Sequence, residues 1–581
     1  MNSNFKKELL TPAIIFLAAF FVNALLFMEL KNSPLFIEPE MDMLWHWQWA
    51  NEIASGNLRG EAVPFFRAPL YPYFLAVLAL LSGKDIIWVR LVQAFFGSLI
   101  GPLAFWLARR MGLGKWQSAA ASAVTFCWPL VLFFDLEFLM PVLLLPLDLA
   151  GLVLLLGIDE KKKPRAAFWP GLVFSFSLIT RPDIMMVWPA FILWSFLKFR
   201  RLKAKYLVSL WLWFALGFFS LGSIVFARNL AVGKEPVFIS TQGGVNFWIG
   251  NHPESDGHTA VAPGPLRGVG KYVDNVWLNS RVVAERDLGR KPKESEVSDF
   301  WFNKGLDFWK DDPGSAFGLF FKKIYYLVNG EEISCNLDFY YFRSESLLMK
   351  VLLWQKMLKF PFGLLLPMAL AGIFWARKKG PDFWLLVLFC GFYGLGIVLF
   401  FVNARFRMPL VPVLVVISAL GLDRACSEWR ERSWKNLLPG IVIFLTFIFI
   451  SNSNFFEVAK YDRARNWVRA GTYYYERGDL NKALQKYAQA LELNPESTDA
   501  FTGAGNVALL KKKYPEALRL YQMAEEVEPM NAQVKFNLGL AYARMGDMGA
   551  SERKFEEALQ IFPDYDKARE QLEWIKNHKA E

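Results

Sequence analysis

The stretch TPAIIFLAAFFVNALLFMEL, residues 11–30, decides the class of this protein. Its only charged side chain is Glu29. A helix of this length rises about 30 Å, the thickness of the hydrocarbon core of a bilayer. Lys6 and Lys7 precede it and no clear small-residue cleavage site follows, so it reads as a retained first span rather than a signal peptide.

Working outward, similar apolar runs recur as far as Ile450. The chain has 581 residues, 54% of them apolar, and a positive mean hydropathy. Soluble domains of this length rarely have such a composition. Aromatics make up 16%, with 23 Trp, an excess that suits the headgroup belts of a membrane protein. The sequence predicts eleven spans, at 11–30, 88–108, 116–134, 137–157, 167–181, 184–199, 206–227, 358–376, 382–402, 408–424 and 437–455. The segment 69–82 is apolar but short, and reads as a juxtamembrane helix within the first external loop.

The formal charge of +11 belongs mostly to short loops between these runs, which argues against nucleic acid. Lys6/Lys7, Arg109/Arg110/Lys115, Lys161–Lys163 with Arg165, Arg200/Arg201/Lys203/Lys205, Arg377–Lys379 and Arg424 to Lys435 all fall on one side. The positive-inside rule makes that side cytoplasmic. Residues 31–87, 228–357 and everything after 455 then lie outside, with a bacterial inner membrane as the expected location. Of the four cysteines, Cys127 and Cys390 lie in apolar runs, Cys335 in a polar loop and Cys426 in a basic one. Neither metal-ligand spacing nor a disulfide framework is evident.

From Tyr461 the composition turns polar and Ala-rich. Pro495, Pro529 and Pro563 are 34 residues apart. The same skeleton precedes each: Gly471, Gly505, Gly539; Ala483, Ala517, Ser551; Tyr487, Tyr521, Phe555; Ala490, Ala524, Ala558. Period and positions resemble the tetratricopeptide repeat. Small residues let two helices of a repeat approach, an aromatic fills the gap to the next repeat, and Pro closes the second helix. Phe501 and Lys535 stand where the pattern has Trp, and Ala508 where it has Tyr. Three repeats follow, 464–497, 498–531 and 532–565, then a capping helix at 564–578. Repeats of this kind are scaffolds and peptide binders, so a protein partner is expected.

Motifs of soluble enzymes are absent: no phosphate-binding Gly-rich loop, no H-E-x-x-H, no Cys pairs. Polar residues instead gather in the predicted external loops. The first loop reads EPEMDMLWHWQWANEIASG (38–56), then FRAPLYPYF (66–74). Asp42 stands at the head of a helical pattern, where it could serve as a base or simply complement the helix N-terminus. Arg90, Glu137, Arg181, Arg405 and Arg407 emerge on the same predicted side as Asp42, and ionisable groups at membrane depth are costly unless used. Arg67 and Arg343 read as snorkelling to headgroups.

The order of these features resembles the GT-C membrane glycosyltransferases, specifically the protein O-mannosyltransferase and aminoarabinose transferase group. An acidic residue in the first external loop, the PLYPY segment (69–73), Arg90, STQGGVN (240–246) and RFRMPLVP (405–412) carry the resemblance over roughly residues 10–425. Met41-Asp42-Met43 departs from the paired acids of many members, and Phe66-Arg67-Ala68 from their His or Glu. The resemblance implies an all-α polytopic bundle, which the apolar runs bound at 1–455; the charge parity sets a first external loop at 31–87 and an external cap loop at 228–357, and the 34-residue period sets the repeats at 461–581. It implies an enzyme that moves a sugar from a polyprenyl-phosphate donor to an acceptor hydroxyl. Asp42 is then the catalytic base, Arg405 and Arg407 hold the leaving phosphate, Arg90 and Arg181 are second choices, and Glu137 orients an arginine or the sugar. The acceptor is a protein or, alternatively, lipid A or another glycan. No cofactor is required. A divalent metal stays open, with His252, Asp256 and His258 as the only loop cluster resembling ligands, and no metal site is assigned.

The cap loop carries amphipathic stretches at 294–309 and 315–327 and reads as a small soluble cap. The rival reading is a non-enzymatic membrane assembly protein with a repeat scaffold. It predicts that Asp42 and the arginines do not converge: a separation beyond about 15 Å would favour it, since reacting groups must nearly touch.

Overall fold

The computed structural model describes residues 3–159, 161, 163–260, 275–456, 463–562 and 565–578, and every regular element among them is a helix. The chain divides into two compact units. The first holds Met1–Lys31 and Phe36–Ala459, the second Asn32–Leu35 and Lys460–Glu581.

Among the described residues of the first unit seven helices are long and apolar enough to cross a membrane: Leu10–Leu30, Ile86–Arg110, Pro182–Phe199, Ala204–Gly233, Pro381–Leu399, Leu410–Arg430 and Trp434–Asn452. An eighth candidate is the pair Lys115–Phe126 and Pro129–Leu136, bent by 56°. Pro129 has no N–H to continue the first helix, so the chain turns there. The expected count of eleven is not reached by these criteria. Its remaining members are the shorter helices Pro141–Leu156, Phe168–Thr180 and Phe362–Ala376. Segment 69–82 forms the short helix Leu70–Leu81, as expected. It stops at Ser82 because Gly83 takes a positive φ of 63°, a left-handed end that suits Gly.

Glycines set the closest helix contacts. A Cβ on Gly171 would collide with the carbonyl of Phe214, and one on Gly217 with that of Phe168. The helices Phe168–Thr180 and Ala204–Gly233 therefore meet backbone to backbone, a packing in which small residues replace the hydrophobic effect as the source of contact.

The cap loop packs its helices around a core shared with Phe401, against which Phe66, Phe400 and Phe406 also lie. Helices Gln242–Ile249, Asn275–Leu288 and Glu294–Asp311 bury Val245, Ile249, Val283, Val297 and Trp301 together. The two amphipathic stretches become Glu294–Asp311 and Pro313–Val328, the second capped by the Asp312 carboxylate on the Ser315 N–H.

The second unit holds three helix pairs and a final helix, Asp566–His578. Its aromatics sit where the spacing predicts. A Cβ on Gly471, Gly505 or Gly539 would lie 2.6, 2.5 or 2.5 Å from the ring of Tyr487, Tyr521 or Phe555. Only Gly leaves room for those rings. Tyr487 also presses on Gly503 of the next repeat, so one ring joins two repeats. Pro563 lies outside the described residues, as do 457–462.

Candidate functional site

Asp42 lies in the first turn of Met41–Ala54. Its carboxylate accepts from Arg67 at 2.9 Å and from Arg405 at 2.8 Å, and Asn336 donates to it at 3.1 Å. Burial opposes its charge, but Arg67 and then Arg405 outweigh that and hold the carboxyl well below the usual carboxylate range. His46, one turn on, is kept neutral. Burial first and Arg67 next bring its pKa down to about 3, while Nδ1 bonds the Phe138 carbonyl at 2.9 Å. Asp42 and Arg405 therefore converge, which the assembly-protein reading did not predict. They converge as a closed ion pair. Arg67, read from sequence as a headgroup contact, is instead a partner in it. Its side chain is 8% exposed and its guanidinium stacks 4.6 Å from the Trp45 ring.

The other expected site residues form separate locks. Arg90 and Glu137 are fully buried and paired at 2.9 Å, with Arg90 also sandwiched by Phe36 and Phe138. Arg407 pairs with Glu332 at 2.7 Å and donates to the carbonyls of Asn329 and Glu331. Arg181 pairs with Asp183 at 2.7 Å and packs on Phe406, the ring that Arg405 also approaches. Asp42 and Arg405 are thus joined, Arg181 is a neighbour through Phe406, and each of Arg90, Glu137 and Arg407 has a partner of its own. Sequence reading missed Glu332, Asn336 and Lys323. Lys323 is buried and donates to the carbonyls of Gly250 and Phe400 and to Asn251 Oδ1, and burial lowers its ammonium pKa to about 7. Only their setting in a polar loop between spans could have flagged them. His258 meets Asp256 at 3.4 Å and His252 stacks on Trp248. Among the described residues no cluster of three ligating side chains is found.

The second unit carries a different arrangement. Amides and hydroxyls bond between the helices of its repeats, with Thr472, Asn506, Gln533 and Asn537 on first helices and Tyr487 and Tyr521 on second ones. Tyr487 and Thr472 share a hydrogen bond at 3.2 Å, Tyr521 donates to Asn506 Oδ1 at 2.7 Å, and Asn537 donates to the same oxygen at 3.4 Å. Gln533 and Tyr565 extend this set. Asn506 is half-buried, and its Nδ2 donates no hydrogen bond among the described residues.

The tetratricopeptide repeat family matches residues 468–528 and 513–566. A CTR9 homolog from Arabidopsis thaliana is 29% identical over 99 residues, 17% of this chain and 9% of its own. The general transcriptional corepressor trfA from Dictyostelium discoideum is 31% identical over 98 residues, 17% of this chain and 7% of its own. The chain thus spans less than a tenth of the length of either relative. Among solved structures, the first TPR of Spaghetti (RPAP3), bound to an HSP90 peptide, is 18% identical, with 20% of this chain and 94% of that one covered at a TM-score of 0.20.

These findings establish the repeats and correct the expectation of an enzyme. The relatives named above match over the repeats, and neither is a glycosyltransferase. The expected role of Asp42 as catalytic base belonged to that reading. The geometry gives a physical reason: a carboxylate neutralised by two guanidinium groups and held far below its ordinary pKa is a weak base. The polyprenyl-phosphate sugar and glycan partners are likewise without support.

Proposed function

We propose that this protein is a membrane-embedded scaffold that presents its repeats to an extended segment of a protein partner on the non-cytoplasmic face. The observation that carries the reading is the set of amides, Asn506, Gln533 and Asn537, on the first helices of a repeat array. Side-chain amides offer both donors and acceptors, so they match the backbone of an extended peptide whatever its side chains. Stacked repeats supply a continuous surface for it. Tyr521 fixes the orientation of Asn506, which lowers the entropy lost when a peptide docks. Support for the compartment comes from the single parity of the basic loops. In this role the buried pairs Arg90–Glu137, Arg407–Glu332 and Asp42 with Arg67 and Arg405 hold the loops of the membrane unit in one arrangement.

The test is photo-crosslinking in intact membranes from position 502, one turn before Asn506 on the first helix of the second repeat, and from position 522, an exposed site on the second helix. A defined adduct from 502 that is absent from 522, and that weakens in the Asn506→Ala, Asn537→Ala double variant, is expected. Equal adducts from both positions, or none, would overturn the reading.

A further inference from the structure

A second feature of the membrane unit is a cleft beside the ion pair. One face of Met41–Ala54 supplies Trp45, Trp49 and Glu52, spaced four, three and seven residues apart on the same side of the helix. The chain segment 60–66 forms the opposite wall with Glu61, Phe65 and Phe66, and Trp277 closes it from the cap helix Asn275–Leu288. The space between them measures about 670 Å³, part of it open to solvent. The rings lie in two groups on neighbouring residues of segment 60–66: Trp45 to Trp49 at 4.8 Å and Trp49 to Phe65 at 5.4 Å, then Phe66 to Trp277 at 6.2 Å.

The charges in the cleft are unequal. Arg228 lies flat on Phe65, 3.9 Å from the ring centre. Its donors go to the carbonyls of Arg59, Glu61 and Val63 and to Asn229 Oδ1, so it fastens the wall. The carboxylates of Glu52 and Glu61 make no hydrogen bond or ion pair among the described residues. They also feel each other: burial first and Glu61 next raise the Glu52 pKa above its ordinary value.

We propose that this cleft binds a small organic ammonium, free or carried as the headgroup of a lipid. Aromatic faces attract a cation through their quadrupoles, most strongly for Trp. Two carboxylates at the rim supply the countercharge that no side chain provides. Methyl or methylene groups around the nitrogen fill the apolar walls. A neutral molecule of the same shape gains the walls alone, and an anion meets two like charges. The proposal stands apart from the scaffold role, because none of these groups belongs to the repeats.

The experiment is isothermal titration of the full-length chain in a non-ionic detergent with choline chloride and with its uncharged carbon isostere, dimethylbutanol. Choline should bind at one site at least roughly tenfold more tightly than the isostere, the order of one desolvated cation–π contact. The Glu52→Gln, Glu61→Gln double variant, altered only at exposed positions, should lose about tenfold in choline affinity and keep its affinity for the isostere. Trp49→Leu should also weaken choline. Equal binding of choline and isostere, no binding of choline, or an unchanged double variant would overturn the proposal. Repeating the titration in phosphatidylglycerol nanodiscs with and without phosphatidylethanolamine identifies the source. Competition by the amine lipid assigns a headgroup, and unchanged choline binding assigns a free amine, both within the proposed chemistry.

Discussion

The two units treat charge in opposite ways. In the first unit, which carries the candidate membrane spans, Arg90–Glu137 and Arg407–Glu332 are sealed pairs whose side chains are 0–1% exposed. In the repeat unit the corresponding network is Lys535 and Lys554 with Glu525 and Glu557, part-buried and within reach of water. The difference teaches where each unit stores its specificity. A sealed pair in low dielectric is costly to break, because the survivor is a buried uncompensated charge. A hydrated network is nearly neutral to lose. The repeats rely instead on shape, with one ring against one glycine in each repeat.

The largest effect should come from splitting a sealed pair. Glu332→Ala, which strands Arg407, should destabilise the membrane unit by about 3–5 kcal/mol, read as a lowered thermal transition in detergent. Replacing both partners by apolar residues, Glu332→Leu with Arg407→Met, should recover most of that loss. A double variant no better than the single one would show that the pair does more than satisfy itself.

Acid should discriminate the units next. His46 titrates near 3 in the folded protein against about 6.5 when unfolded, so the unfolded state binds the extra proton between those values. Its contribution is complete above pH 6.5 and is lost as pH falls toward 3, at up to about 1.4 kcal/mol per pH unit. Asp42, also depressed in the folded state, acts in the same direction at lower pH. His46→Gln should flatten the slope of the membrane-unit transition between pH 6.5 and 4 and leave the repeat transition unmoved. An unchanged slope would place the acid sensitivity elsewhere.

Steric change should mark the repeats. Gly505→Ala places a methyl against Tyr521 and should cost the repeat unit about 1–3 kcal/mol. The same substitution at Gly243, which has open space, should be close to silent. The smallest effect should come from Lys535→Ala, under about 1 kcal/mol and vanishing at high salt. A larger loss that persists in salt would mean that the network around Glu525 is sealed after all.

The same contrast explains what could be read in advance. The repeats were legible because each needs only its neighbour: a ring at one position and a glycine at another, restated every 34 residues. The amphipathic cap helices were legible from their own periodicity. In the first unit the apolar runs were legible, but not the partners of its charges. Asp42 meets Arg405 from 363 residues away and Arg407 meets Glu332 from 75, and no local pattern encodes such distances. Arg67 was misjudged for that reason, since an arginine beside Phe66 and Pro69 looks the same whether it reaches a headgroup or an aspartate. The enzyme reading failed differently. It rested on the order of residues in the first unit, whereas the matching family covers only the repeats.

Sequence alone therefore determined that the chain is helical, that most of it suits a bilayer and that it ends in a repeat solenoid. These properties follow from length, hydropathy and period, which are local sums. Only the tertiary structure decided which charges are paired, that Asp42 is locked between two arginines, and that Trp45, Trp49 and Trp277 share a cleft with two unpaired carboxylates. Electrostatic energy depends on distance and burial, and both are fixed only when remote segments meet.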